Sequence, residues 1–372
     1  MSESLRRALL AKMNKSDSLI QSKRSTNDST NPISLNNTCP GNLPSWQEFF
    51  TQNEQFFINN GSYRFNTYFS LPEPELLLKA SKSQSIPIFI FHHGAGSSAL
   101  SFAPLAQSLQ EKLENLCGTF AFDARGHGLT ETPDTATFRL GDFVSDFCQI
   151  LDLFYSRFLR NRFSDRTFSL VLVGHSLGGS ICSSAFHEIN DQLRQRIVGV
   201  AMLDIVEEAA KKALNTVDTF LTKTPNLFPD YTAAIDWHVQ KGLSRLKTSA
   251  QISIPSLFTP TASGKVVRRT NLQIFRPFWD SWFTGLSSKF VALPTSKLLV
   301  LAGDDNLDRE LIIGQMQGKF QLVVFQDSGH FIEEDCPSKT AITLIDFWRR
   351  NDTKNLVIKT NWTKNGSPIS LN

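Results

Sequence analysis

The sequence predicts an α/β fold, a mostly parallel twisted sheet flanked by helices and carrying an inserted helical lid. Short apolar runs rich in β-branched and aromatic residues recur along the chain, as strands buried on both faces do, at 86–93, 118–123, 169–174, 197–204, 297–304 and 320–327. Helical patterns fall between most of these runs. Strand–helix alternation with right-handed crossovers produces such a sheet.

The elements at the two ends of this series complete the predicted core. Residues 62–71 alternate in polarity and predict an early antiparallel strand, and the final helix begins at Pro337. We predict that the core comprises 43–205 and 291–351. Residues 1–42 form a disordered basic tail and 352–372 a polar C-terminal tail in this prediction.

One interval interrupts the alternation. About ninety residues separate the strand that ends at Asp204 from the next strand, which exceeds an ordinary crossover. We predict that 206–290 is a helical lid over the carboxyl edge of the sheet, where open α/β sheets bind ligands. Four aromatic residues of this lid are expected to form its core, with substrate contact as the alternative: Phe278, Trp279, Trp282 and Phe283.

Composition limits the functional classes. A net charge of +3 over 372 residues does not indicate a nucleic-acid partner, and no apolar run approaches the length that spans a membrane. Five scattered cysteines, none in a C-x-x-C pair, predict a reducing compartment, so we expect a cytoplasmic or nuclear protein. The basic, serine-rich N-terminus leaves a mitochondrial presequence as the alternative. No metal-binding or cofactor motif is present in the sequence, so neither a metal nor a cofactor is expected.

The segment Gly174-His175-Ser176-Leu177-Gly178 has the pattern G-x-S-x-G directly between a predicted strand and a predicted helix. In that context the pattern predicts a nucleophile elbow, in which glycines allow a tight turn around a strained serine. We therefore predict that Ser176 is a catalytic nucleophile.

A serine nucleophile needs a base, and the base needs an acid. His330 follows the last predicted strand and can reach the same sheet edge as Ser176, so we predict that it is the base. For the acid we favour Asp204, at the end of the preceding strand, over Asp305, in the turn where this fold usually places it.

Donors to the tetrahedral oxyanion are expected on two backbone N–H groups. The glycine-rich loop after the strand 86–93 supplies Ala95, and Leu177 follows the nucleophile. We interpret Asp123 and Arg125 as a structural clamp on a neighbouring loop. Together these residues predict a serine esterase of the α/β-hydrolase fold.

Several segments resemble the protein phosphatase methylesterase family, most closely its yeast members. The most particular are "MLDIVEEAA" and "IGQMQGKFQ", and the resemblance runs from about Leu43 to Asn351. It implies Ser176 as nucleophile, Asp204 as acid and His330 as base. It also implies that the partner and substrate is the type 2A protein phosphatase catalytic subunit, whose C-terminal leucine methyl ester is hydrolysed, with docking near Trp279, Trp282 and 315–317.

Two alternatives remain open at this point. One is a small-molecule carboxylesterase, in which the lid serves only a pocket. The other is a non-catalytic scaffold of the same fold, although a scaffold has no need of nucleophile, base, acid and oxyanion loop together.

Overall fold

The computed structural model describes residues 43–81, 85–303 and 307–352. Its strands are β1 (Gln52–Ile58), β2 (Tyr63–Ser70), β3 (Ile86–His92), β4 (Gly118–Phe122), β5 (Phe168–His175), β6 (Ile197–Leu203), β7 (Leu227–Phe228), β8 (Phe258–Pro260), β9 (Val266–Arg268), β10 (Ser296–Ala302) and β11 (Gln321–Phe325). Eight of them form one sheet in the order β1-β2-β4-β3-β5-β6-β10-β11.

In this eight-stranded sheet, β2 runs opposite to the other seven strands. β1 and β2 pair antiparallel, and β2 pairs antiparallel with β4. From β4 onward every neighbouring pair is parallel. The predicted fold class is confirmed. β1 was not predicted, because its sequence QNEQFFI is mostly polar, as an edge strand's can be.

Helices cover the sheet on both faces. They are α1 (Pro74–Lys79), α2 (Ala103–Lys112), α3 (Leu140–Phe154), α4 (Arg160–Arg162), α5 (Leu177–Ala185), α6 (Asp191–Arg194), α7 (Glu207–Lys223), α8 (Tyr231–Gln240), α9 (Lys247–Ser256), α10 (Trp279–Phe283), α11 (Leu286–Ala292), α12 (Arg309–Met316), α13 (Ile332–Asp335) and α14 (Pro337–Asn351). A π-helical turn (Tyr155–Leu159) follows α3, and 3₁₀ segments lie at Trp46–Glu48, Asn59–Gly61, Ala99–Phe102 and Leu272–Phe278. In the described part of the chain, no helix is long and apolar enough to cross a bilayer.

Alternation along β3 shows how the two faces are buried. Ile86, Ile88 and Ile90 pack into the core that contains α3 and α5, whereas Phe89 and Phe91 pack into the core that contains α2 and α14. All five side chains are fully buried. A strand covered on both faces reads as a continuous apolar run, which is why the central strands were recognisable.

The segment between β6 and β10 is an insertion built from more than helices. It contains α7 to α11 and also a small antiparallel sheet of order β7-β9-β8. The helical prediction missed this sheet because its strands have only two or three residues.

The predicted tails can be compared at one residue only. Residues 1–42 and 353–372 lie outside the described residues. The two predictions for the N-terminus, a disordered tail or a mitochondrial presequence, concern residues in the first of these ranges. Asp352, assigned to the C-terminal tail, is buried and accepts hydrogen bonds from Ser169 Oγ at 2.8 Å and Trp348 Nε1 at 3.1 Å. It therefore belongs to the core.

Candidate active site

Ser176 occupies a strained turn between β5 and α5. Its φ of 51° and ψ of −118° lie outside the conformations that non-glycine residues ordinarily adopt. Glycines on either side make the turn possible. A Cβ on Gly174 would lie 2.2 Å from the carbonyl oxygen of Gly178, and a Cβ on Gly178 would lie 2.0 Å from that of His92. This is the geometry that the G-x-S-x-G pattern predicted.

Asp204 and His330 meet across the carboxyl edge of the sheet. The Nδ1 atom of His330 lies 2.7 Å from Oδ2 of Asp204. Because a carboxylate accepts, Nδ1 carries the hydrogen and Nε2 of the neutral ring keeps its lone pair. Asp204 is held by its own backbone N–H, which donates to Val300 O at 2.8 Å, and by Oδ1, which accepts from the N–H of Ala302 at 2.8 Å. Asp305, the second candidate for the acid, lies outside the described residues.

Ser176, Asp204 and His330 line one cavity of about 270 Å³, together with Ala95. The other walls are mostly apolar. One is the face of α7, whose Ala210, Leu214, Val217 and Leu221 recur at helical spacing and point into the cavity. These side chains are half-buried and pack against the core of the protein, and the part of this face that stays open lines the cavity.

Trp279 and Trp282 form the cavity wall opposite the catalytic loop. Trp282 is 2 % exposed, and its Nε1 donates to Phe138 O at 2.7 Å. Trp279 is 9 % exposed and lines the same cavity. These side chains are therefore part of the hydrophobic core, as expected, and their contact with a substrate stays a prediction. Docking of a partner near these side chains stays a prediction.

Histidines shape the loop that carries Ala95. His93 Nε2 accepts from the N–H of Ala124 at 2.9 Å, and His127 Nε2 accepts from the N–H of Gly96 at 2.9 Å. Burial lowers the pKa of each imidazole to about 3, so both are neutral and keep these lone pairs. Ala95 is thereby placed beside Ser176, and Leu177 begins α5, where helical N–H groups are free to donate. Their oxyanion roles stay predictions.

The segment 123–130 is a clamp, as the sequence indicated. Asp123 accepts from the N–H groups of Ala99 and Leu129 at 2.8 and 2.9 Å. Arg125 forms a bidentate ion pair with Asp146, at 2.5 and 2.7 Å. Neither side chain lines the catalytic cavity.

Sequence reasoning missed the acidic run Glu333-Glu334-Asp335, whose first residue packs against His175 beside Ser176. Nδ1 of His175 lies 3.2 Å from Oε1 of Glu333, and Nε2 of His175 lies 2.9 Å from the backbone oxygen of His330. Burial raises the pKa of Glu333 and lowers that of His175, so the pair is neutral. The only available signal was an acidic run directly after a candidate catalytic histidine.

Glu334 joins the catalytic loop to the insertion. Its carboxyl accepts from Ser101 Oγ at 2.7 Å, from Ser253 Oγ at 2.9 Å and from Ser244 Oγ at 3.2 Å. Burial raises the pKa of Glu334 from 4.5 to about 7. The folded chain therefore holds a proton that the unfolded chain releases between these two pH values.

We expect Glu334 to make folding less favourable as pH rises from 5 to 8. A shift from 4.5 to about 7 corresponds to about 3 kcal/mol, and Glu334→Gln removes that titration. Urea unfolding of the native chain and of the Glu334→Gln variant at pH 5 and pH 8 measures the free energies of unfolding. The stability of the Gln variant relative to the native chain should increase with pH by up to this amount. A pH-independent difference would show that Glu334 is ionised in the folded state throughout.

The described residues contain no cluster of three or more His, Cys, Asp or Glu side chains that could hold a metal ion.

Comparison with known proteins places these features in a family. The model of the alpha/beta hydrolase family matches residues 89–342. The chain is 56 % identical to protein phosphatase methylesterase 1 of Saccharomyces cerevisiae, over 86 % of this chain and 80 % of that protein. It is 55 % identical to the protein of the same name from Kluyveromyces lactis, with the same coverage of 86 % and 80 %.

Solved structures agree on the fold. E-2-(acetamidomethylene)succinate hydrolase superposes with a TM-score of 0.59 at 19 % identity, over 80 % of this chain and 99 % of that one. A Mycobacterium tuberculosis esterase superposes with a TM-score of 0.55 at 18 % identity, over 79 % and 91 %.

Proposed function

Because the chain belongs to the α/β-hydrolase family and, within it, to the protein phosphatase methylesterases, we propose that it hydrolyses the methyl ester on the C-terminal leucine of the type 2A protein phosphatase catalytic subunit. The observation that carries the chemistry is the 2.7 Å contact between His330 and Asp204 beside Ser176 in one cavity. An esterase of this kind needs those three groups and no cofactor.

In the proposed reaction, Ser176 Oγ attacks the ester carbonyl while His330 Nε2 takes its proton. The backbone N–H groups of Ala95 and Leu177 receive the tetrahedral oxyanion. His330 then protonates the departing methoxide, so methanol leaves and the leucine carbonyl stays esterified to Ser176. A water molecule, deprotonated by His330, cleaves this acyl-enzyme and yields the carboxylate and free serine.

Asp204 contributes through His330. Its carboxylate holds the hydrogen on Nδ1 and stabilises the imidazolium that forms when Nε2 takes the serine proton. Contacts with the backbone of β10 fix that carboxylate, so the orientation of the imidazole does not depend on the substrate.

The apolar cavity suits a leucine side chain. Burying that side chain against α7, Trp279 and Trp282 contributes about 2 kcal/mol. This contact alone discriminates weakly among leucine esters, since a few methylenes change affinity only modestly. Selection of one protein substrate therefore needs contacts outside the cavity.

We propose that those contacts include the exposed end of α12. Residues 315–317 are exposed, and Met316 shows 84 % of its surface to solvent. Ile312 on the same helix is 46 % exposed. Exposed apolar side chains in one place are typical of surfaces that bind protein partners. Docking near Trp279 and Trp282 stays part of the same proposal.

We expect the intact methylated phosphatase to be hydrolysed at least about tenfold faster, in kcat/KM, than its free methylated C-terminal peptide. Docking orients the ester against Ser176 and lowers the entropic part of the barrier. Methanol release from both substrates measures the ratio. Met316→Ser should reduce the ratio, whereas Ile342→Ser, a 50 % exposed apolar residue on α14, serves as the matched control.

Two results would count against this proposal. Equal kcat/KM for protein and peptide would remove the need for a docking surface. Rapid hydrolysis of unrelated short-chain esters, with no activity on the phosphatase, would make the small-molecule carboxylesterase the better account.

A further inference from the structure

A second, smaller cavity adjoins the catalytic one. Its volume is about 90 Å³, and it shares the wall residues Ala95, Phe220, Leu243, Leu272 and Phe331 with the catalytic cavity. Its lining includes the polar side chains of Ser97, Thr224, Ser244, Ser253, Glu334 and Arg268. None of these takes part in the ester chemistry derived above.

Arg268, the last residue of β9, is the cation of this cavity. Its Nε is buried and has no hydrogen-bond partner. Its Nη2 lies 3.4 Å from Nε2 of His238, and its guanidinium carbon lies 5.0 Å from the ring centre of Phe258. Burial lowers the pKa of Arg268 to about 10, so the group is still cationic at neutral pH. Within the described ranges it forms no ion pair with a carboxylate.

Arg125, a buried arginine with a carboxylate partner, shows which contact Arg268 lacks. Arg125 is 6 % exposed at its side chain and has both carboxylate oxygens of Asp146 within 2.7 Å. Burying a guanidinium without such a partner is unfavourable. Arg268 therefore carries unsatisfied donor capacity in a space that opens beside the ester-binding cavity.

Glu334 lines the same cavity but is not the carboxylate partner of Arg268. Its two carboxyl oxygens already accept hydrogen bonds from Ser101, Ser244 and Ser253. The small cavity thus offers a fixed cation and no free anion. A planar guanidinium fork binds a carboxylate through two parallel hydrogen bonds, which an ammonium group cannot do.

We propose that Arg268 forms an anion subsite that binds the carboxylate of an acidic side chain in the substrate peptide, a few residues before the esterified C-terminal residue. This inference rests on the proposed function, because it assumes a peptide ester in the neighbouring cavity. It adds a specificity-determining contact that an apolar cavity for one leucine side chain cannot supply.

The test measures peptide binding rather than turnover. Peptide methyl esters ending in leucine are prepared with one Asp, at each of the positions two to five residues before the ester, and with Asn at the same position. Binding to the full chain carrying Ser176→Ala is measured by calorimetry, so that no ester is consumed. We expect one Asp position to bind about tenfold more tightly than its Asn counterpart, and Arg268→Met to abolish that preference.

A matched variant separates this contact from general electrostatics. Arg276 belongs to the same insertion, is 63 % exposed and pairs with Asp218 at the surface. Arg276→Met should leave the Asp preference intact. Equal affinity for Asp and Asn peptides at every position, absence of binding by all of them, or a preference that survives Arg268→Met would overturn the proposal.

Inorganic phosphate tests for a different source of the anion. If phosphate binds the Ser176→Ala chain through Arg268 while no Asp position is preferred, the subsite takes a free anion and the peptide assignment is wrong. Failure of the native chain to hydrolyse any of these peptide esters would instead contradict the proposed function, and the binding ratios would still decide the role of Arg268.

Thermal stability distinguishes a ligand site from a structural contact. Removing a buried cation that lacks a partner should not lower Tm, whereas Arg125→Met should lower it by breaking a buried ion pair. A fall in Tm for Arg268→Met as large as that for Arg125→Met would show that Arg268 holds the insertion together and would overturn the anion subsite.

Discussion

Replacement of Ser176 by alanine is expected to reduce kcat for ester hydrolysis by at least about 10⁴-fold. The hydroxyl on the strained turn is the only protein group in the proposed reaction that forms a bond to the substrate carbonyl. Alanine occupies less space in the same backbone position, so KM should change little. Hydrolysis of a p-nitrophenyl ester and of a peptide methyl ester measures the loss.

A variant that combines Ser176→Ala with His330→Ala tests whether the two groups act together. His330→Ala should cost a similar factor, and Ser176→Ala with His330→Ala only slightly more than either, because the two groups act as one unit. His187, an exposed histidine beyond α5, provides the control, since its replacement by alanine should leave kcat unchanged. Substantial activity in Ser176→Ala would contradict the elbow assignment, and additive losses would indicate that the two groups act in separate steps.

The central strands could be predicted because burial on both faces leaves a simple signal in the sequence. β3, β5 and β6 are apolar at nearly every position, and each matches one of the predicted runs to within one residue at either end. β1 pairs on one side only and carries polar residues, so the same criterion could not find it. The sheet of the insertion was missed for another reason, since strands of two or three residues have no periodicity to detect.

The turn at Ser176 could be predicted because its backbone geometry requires glycines at fixed positions beside the serine. Glycines beside Ser176 are required by contacts at 2.0 and 2.2 Å, and such a requirement leaves a readable pattern. The identity of the acid was harder, because Asp204 and Asp305 both follow strands that end at the same edge. Only the fold shows that Asp204 contacts His330.

The contacts of Glu334, Arg268 and Trp282 could not be predicted from the sequence, because their partners are distant along the chain. Glu334 hydrogen-bonds to serines that precede it by 81 to 233 positions. Arg268 has no carboxylate partner among the described residues, and only the folded structure shows which charged side chains lie near it. Burial of Trp282 similarly depends on Phe138, which lies 144 positions away.

Asp204→Asn is expected to lower kcat by about 10⁴-fold while leaving the fold intact. An asparagine oxygen can still accept from the N–H of Ala302, as Oδ1 does now at 2.8 Å. Its NH₂ group would face His330 and donate to Nδ1, which forces the ring hydrogen onto Nε2. In that tautomer Nε2 has no lone pair to take the proton of Ser176, so the nucleophile is not activated.

Asp305→Asn is the matched comparison, because it removes one carboxylate from the turn where this fold often places the acid. Its kcat should stay within about twofold of the native value, since His330 Nδ1 already has its acceptor in Asp204 at 2.7 Å. Steady-state kinetics on the same ester, with Tm for each variant, separates catalysis from folding. An inactive Asp305→Asn beside an active Asp204→Asn would move the acid to the turn after β10. Comparable large losses in both would mean that the imidazole is oriented by two carboxylates rather than one.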